Sequence, residues 1–174
     1  MELLHHEKQV NRENLSMLRK LKALECNVSV VYMYYLNSGA IQYPNMEGRT
    51  LYIGEAQRIS EPTGVRFRQH ISPSAFSGAD MGNNLALSQY FHKGHSIGLK
   101  IYSTGNRKDD ERNLIYAHIK QYGSAPICQA NIPCCPPRNR NRITDVYNYI
   151  TENEVMINQC IDLLESNSAT FSKY

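Results

Sequence analysis

The stretch from Val28 to His70 constrains this chain more than any other. It opens Val-Ser-Val-Val-Tyr-Met-Tyr-Tyr-Leu, a run of β-branched and aromatic residues suited to a pleated, half-buried strand. Asn37-Ser38-Gly39 and the residues from Asn45 to Gly48 are turn chemistry, so the chain reverses there. Leu51-Tyr52-Ile53-Gly54 returns as a short second strand that ends at Gly54. Because side chains alternate along a strand, Tyr32 and Tyr34 share one face while Val31 and Met33 take the other. A hairpin register that puts Tyr52 on the Tyr32 face gathers their phenols. Pro62 then opens a helix over residues 62–71 at its first turn. That helix carries Arg66 and His70, four apart and therefore neighbours on one side. Phenols, a guanidinium and an imidazole beside a sheet suit a phosphate diester.

The flanking sequence supplies the rest of an α/β domain. Leu15, Leu18, Leu21 and Leu24 predict a packing helix over residues 3–25 within an N-terminal segment 1–27. Residues 72–84 are rich in Ser, Gly and Asn and read as a loop, followed by a short helix from Asn84 to Phe91. Ile97, Leu99 and Ile101 alternate with Gly98, Lys100 and Tyr102, the period of a third strand. A helix from about Asp109 to Tyr122 stops at Gly123. A last one, from about Thr144 to Ser166, packs on the domain or forms a homodimer contact. The expectation is a single domain over residues 1–174. Its core is a three-stranded, mostly antiparallel sheet flanked by helices, and residues 138–174 form a basic connection and C-terminal helix.

At 174 residues the chain can bury a real core, and its net charge of +3 makes the distribution of charge more telling than the total. Its longest apolar run, Val28 to Leu36, is too short to cross a bilayer, and the charged N-terminus has no signal-peptide core. Five cysteines without a CxxC pair suit reduced thiols, which points to the cytoplasm. His92 and His95 flank Gly94 without a nearby third ligand, and Cys128, Cys134 and Cys135 lack paired spacing, so zinc is not expected. No small-molecule cofactor is implied.

Basic residues for nucleic-acid contact are Arg49 in the 37–50 loop, Arg58, Arg68, and the run Arg138, Arg140 and Arg142. The alternative for each is a solvated surface charge. Gln42, Tyr43 and Asn45 share the loop with Arg49 and are candidates to approach a substrate. Arg58 competes with Arg66 as a phosphate ligand. Glu111 precedes Ile115 by four residues and sits on the inward side of its helix, which is costly for a carboxylate unless it is paired or bound to a cation. The competing reading is a first-turn glutamate interacting with the helix dipole.

Val30-Val31-Tyr32, then Tyr52-Ile53-Gly54, then Arg66-x-x-x-His70 resembles the GIY-YIG nuclease domain. The first motif there is normally Gly-Ile-Tyr, of which this chain keeps the tyrosine; the second is intact. Glu111, heading Glu-Arg-Asn-Leu-Ile, resembles that family's metal-binding glutamate, and Asn131 its late asparagine. The resemblance covers residues 28–132 and favours Arg66 over Arg58. It implies a stand-alone, metal-dependent DNA endonuclease of restriction or mobile-element type. In that reading Tyr32 is the general base or positions the water, Tyr52 holds the water or phosphate, and Arg66 binds phosphate. His70 assists proton transfer or binds a phosphate oxygen, Glu111 holds Mg²⁺ (or Mn²⁺), and Asn131 supports the substrate side. A free tyrosine titrates near ~10, so a phenolate base at neutral pH asks neighbouring cations for roughly 3 kcal/mol. A non-catalytic nucleic-acid-binding module on the same fold is the alternative.

Overall fold

The computed structural model describes residues 1–70, 84–133 and 142–166. Residues of the 72–84 loop up to 83, together with Cys134, Cys135, Arg138, Arg140 and the side chain of Arg142, lie outside that description.

Three of the sheet's strands come from the expected stretches: β2 (Val30–Leu36), β5 (Thr50–Ala56) and β6 (Ile97–Ser103). The fourth corrects the sequence reading, because Glu2–Glu7 is not helical but forms strand β1 against β6. The sheet is therefore four-stranded and antiparallel, in the order β1-β6-β2-β5. Nothing in Glu-Leu-Leu-His-His-Glu alternates like a strand. Its pairing satisfies the backbone edge that Ile97–Ser103 would otherwise leave open, a tertiary demand that local patterning does not carry.

The rest of the expected N-terminal helix is also shorter. Asn11 caps helix α1 (Arg12–Met17) by accepting from the Asn14 amide at 2.8 Å. Two 3-10 turns follow, Leu18–Lys20 and Lys22–Leu24. Leu15, Leu18, Leu21 and Leu24 are spaced three apart, which fits the threefold 3-10 turn better than the 3.6-residue α-helix. Leu15, Leu18 and Leu24 are buried as a result.

Alternation along β2 divides the interior. Val30, Tyr32, Tyr34 and Leu36 join the α1 side with Phe67 and Leu87, whereas Val31 and Met33 join Leu114, Ile115 and Ile157 on the other. Helix α2 (Leu85–His92) covers the first face. Helix α3 (Arg107–Tyr122) covers the second and ends at Gly123, whose φ of +83° is the left-handed conformation glycine adopts freely.

The expected single C-terminal helix is two, α4 (Arg142–Glu152) and α5 (Glu154–Glu165), broken at Asn153. Asn153 leaves the helical conformation at φ −117° and ψ 30°, and its side-chain amide donates to the Tyr149 carbonyl. Helix α5 buries Ile157, Cys160 and Leu164 against α3, so it packs on its own chain. The described cysteines, Cys26, Cys128 and Cys160, are free. Among the described residues, no helix is long and apolar enough to cross a membrane.

The 37–50 loop contains two short paired strands, β3 (Ile41–Gln42) and β4 (Glu47–Gly48), and packs down rather than reaching out. Tyr43 is buried and donates to the Thr50 carbonyl at 2.7 Å, and Asn45 donates its amide to the Tyr122 carbonyl that ends α3. Buried Tyr43 is therefore not available to approach a substrate, whereas the side chains of Gln42 and Asn45 are exposed.

Candidate functional site

The site forms where β5, the edge strand of the sheet, meets a short 3-10 segment and α3. Register puts Tyr32 opposite Gly54 and Tyr34 opposite Tyr52, so the three phenols share a face. The Tyr32 ring lies directly over Gly54. A Cβ at that position would stand 2.5 Å from Tyr32 Oη and 2.8 Å from Tyr52 Cε1, which explains why this strand position carries no side chain.

Arg66 and His70 arrive on Thr63–Gln69, which is 3-10 rather than the expected α-helix. This changes their relationship. At three residues per turn, positions four apart diverge by about 120°. His70 is accordingly 1% exposed, while Arg66 is only partly buried. Three residues before His70, Phe67 packs edge-on against it with ring centroids 5.9 Å apart. Gly64 lets this segment press onto the Leu18 turn, since an added Cβ would meet the Leu18 carbonyl oxygen at 2.1 Å. Ser88 of α2 anchors the end by donating to the His70 carbonyl at 3.1 Å.

The resulting cluster is layered. At the back, His70 bridges two phenols: Nε2 lies 3.0 Å from Tyr32 Oη, and Nδ1 lies 2.9 Å from Tyr34 Oη. Burial, then the Arg66 charge, pushes the imidazole down to about 3, so it is neutral. With both nitrogens occupied and its ring buried, His70 has no atom free for a phosphate oxygen. Tyr32 is also fully buried. Burial holds its phenol well above the ordinary value, Tyr52 adds to this, and the neighbouring Arg66 opposes it. The resting residue is thus a neutral phenol rather than a ready base.

At the front stand Tyr52, Arg66 and Glu111, all partly exposed. Arg66 forms no ion pair among the described residues. Its rival Arg58 is engaged by Glu61 and by Gln69, the latter at 3.0 Å. Glu111 has no hydrogen bond or ion pair among the described residues. Burial foremost, then the Glu55 charge, lifts its carboxyl to about 7 against the pull of Arg107 and Arg66. Tyr52 is raised first by burial and next by Glu111.

Glu55 and Arg107, both missed in the sequence, complete the front. Arg107 Nε meets the Glu55 carboxylate at 2.9 Å, one helical turn before Glu111. The spacing of Arg107 and Glu111, four apart on one helix, was the available signal. Tyr34 was the other legible omission, since alternation already placed it beside Tyr32. Arg66, Arg107, Arg58 and Glu55 line a cleft of about 510 Å³ at the Ala56 end of β5.

No protein-family model, curated protein or solved structure matches this chain.

The remaining predicted residues fall outside the cluster. Asn131 is exposed, with its carbonyl accepting from Gln129 Nε2 at 3.3 Å, and its side chain makes no hydrogen bond to the cluster. Arg49 lies at the far end of the β2–β5 hairpin, near the Asn37 carbonyl. Arg68 is exposed and points away from buried His70 and Phe67. Among the described residues, no three His, Cys, Asp or Glu side chains gather as a metal-binding group. Glu111 nevertheless fits a divalent cation: it is a half-buried carboxylate whose charged form lacks a counter-charge in contact.

Proposed function

We propose that the cluster at the β5 edge is the active site of a metal-dependent endonuclease of the GIY-YIG type, hydrolysing DNA phosphodiesters. One observation carries this reading. Tyr32, Tyr52, Arg66, His70 and Glu111, spread over 80 positions, converge on one strand edge that opens into an arginine-lined cleft. Of the cleft's arginines, Arg58 is paired with Glu61 and Arg107 with Glu55, so Arg66 presents the uncompensated positive charge that favours a phosphate.

The layering assigns the work. Arg66 binds the non-bridging oxygens of the scissile phosphate through its planar donors. The Tyr52 hydroxyl holds a phosphoryl oxygen or the attacking water. Tyr32 and His70 stand behind and position Tyr52; neither touches substrate. Glu111 would hold Mg²⁺ (or Mn²⁺) through its carboxylate. Bound there, the cation would acidify the water and neutralise the oxygen that leaves. The water oxygen forms the new P–O bond and loses its proton to solvent, while the bond to the sugar oxygen breaks and that oxygen takes up a proton from solvent.

Single-turnover cutting of a labelled duplex by wild type, Arg66→Ala and Arg58→Ala tests the assignment. The expected result is a loss of about 100-fold or more for Arg66→Ala, the scale of removing one preorganised donor, and less than about tenfold for Arg58→Ala. Equal losses would sink the choice of Arg66. Binding of duplex by a wild type that never cuts would instead mark a non-catalytic nucleic-acid module.

A further inference from the structure

The back of the cluster holds one more hydroxyl than the proposed chemistry uses. Tyr34 is fully buried, and among the described residues its Oη has one hydrogen-bond partner, His70 Nδ1 at 2.9 Å. A buried O–H needs an acceptor, and this one has a single candidate. Nδ1 must therefore be the bare nitrogen of the ring. Because a neutral imidazole carries one proton, that proton sits on Nε2 and points at Tyr32 Oη, 3.0 Å away.

The reverse tautomer fails the same accounting. An Nδ1–H would donate to Tyr34 and strand the Tyr34 proton in a dry core, beside the Tyr32 and His70 rings. Tyr32 Oη then receives Nε2–H from His70, which leaves its own proton to be given away on the outward side. Tyr52 is the neighbouring phenol on the outward side, with ring centroids 6.1 Å apart and both rings flanking Gly54.

We propose that Tyr34 sets the direction of a hydrogen-bond chain running outward: Tyr34 O–H to His70 Nδ1, His70 Nε2–H to Tyr32 Oη, and Tyr32 O–H to Tyr52 Oη. With its oxygen filled from behind, the Tyr52 hydroxyl faces the substrate side as a donor. Tyr34 is a positioning residue in this scheme. Each donation strengthens the next, so the chain delivers a more acidic O–H at Tyr52 than an isolated phenol would. The tautomer stands on geometry alone; its catalytic use rests on the nuclease reading.

The test is ring-nitrogen NMR of the full chain with ¹⁵N-labelled histidine, His70 being assigned by its loss in His70→Gln. In the wild type the chain requires a protonated Nε2 and a hydrogen-bonded, unprotonated Nδ1 at neutral pH. In Tyr34→Phe the Nδ1 resonance should move to that of a nitrogen without a donor. Tyr35→Phe, which removes only the bond to His6, should leave it in place. Plasmid-cutting kcat should fall about three- to tenfold in Tyr34→Phe with KM unchanged. A protonated Nδ1 in the wild type overturns the proposal, as does an Nδ1 resonance indifferent to Tyr34→Phe. If Tyr34→Phe does not fold, the wild-type tautomer decides alone. A wild type with the outward tautomer that cuts nothing would retain the chain and remove the nuclease.

Discussion

Tyr32 Oη occupies the space in which a side chain at Gly54 would begin, 2.5 Å from the position of its Cβ. The second strand's glycine and the first strand's tyrosine are therefore one packing unit. Gly54→Ala should displace the Tyr32 ring from His70 and cost about 1–3 kcal/mol, the usual penalty of overpacking a filled core. Urea unfolding measures the loss, and a change in cutting that exceeds the loss of folded protein would report the displaced ring. An unchanged midpoint would mean that the ring slides aside freely.

Removing the imidazole strips partners from two buried phenols at once. His70→Ala should destabilise the fold by about 2–5 kcal/mol, from two orphaned hydroxyls and a cavity. Truncating an exposed neighbour such as Arg68 should stay within about 0.5 kcal/mol. Denaturant midpoints for the two variants give the comparison directly, and similar values would contradict the bridging role of His70.

Glu111 and His70 predict opposite responses to pH. The Glu111 carboxyl, with a folded value of about 7, is raised above its ordinary one, so the folded state holds its proton more tightly. Its favourable contribution is full at low pH and is lost as pH rises toward 7. Glu111→Gln should therefore gain stability over wild type at pH 8, by about 1–3 kcal/mol after allowance for solvent screening, and show no gain near pH 4. His70, lowered to about 3, acts the other way: stability falls as pH drops below its unfolded value. Thermal melts of wild type and Glu111→Gln at the two pH values separate them. A gain at pH 4 that equals the gain at pH 8 would show that Glu111 carries no such strain.

The same carboxylate gives a metal prediction that needs no activity. Millimolar Mg²⁺ or Mn²⁺ should raise the melting temperature of wild type at pH 8 and leave Glu111→Gln where it was. Equal shifts in both proteins would place the cation elsewhere.

Much of this arrangement was readable from local pattern, and the failures have physical causes. Alternation put Tyr32, Tyr34 and Tyr52 on one face, and it did so because β2 is buried on both sides and the hairpin register is held by that burial. The helical turn after Asn106 and its stop at Gly123 followed from composition. By contrast, β1 exists only because β6 has an edge to satisfy, and Glu2–Glu7 carries no trace of that partner. Leucines three apart were read as an α-helical stripe when they mark 3-10 turns. The same confusion between 3.6 and 3.0 residues per turn put Arg66 and His70 on one side, when Thr63–Gln69 sends one outward and the other into the core. Glu55 and Arg107 escaped notice because each reads as an ordinary surface charge until β5 and α3 bring them to 2.9 Å.

The most direct test of the account is cleavage of supercoiled plasmid by wild type and Glu111→Ala, each with Mg²⁺ or with EDTA. The account predicts nicking or cutting by the wild type that needs the metal and is lost, by about 100-fold or more, in Glu111→Ala. Cutting that continues undiminished in Glu111→Ala would contradict it, because the chemistry would then lie away from the β5 edge.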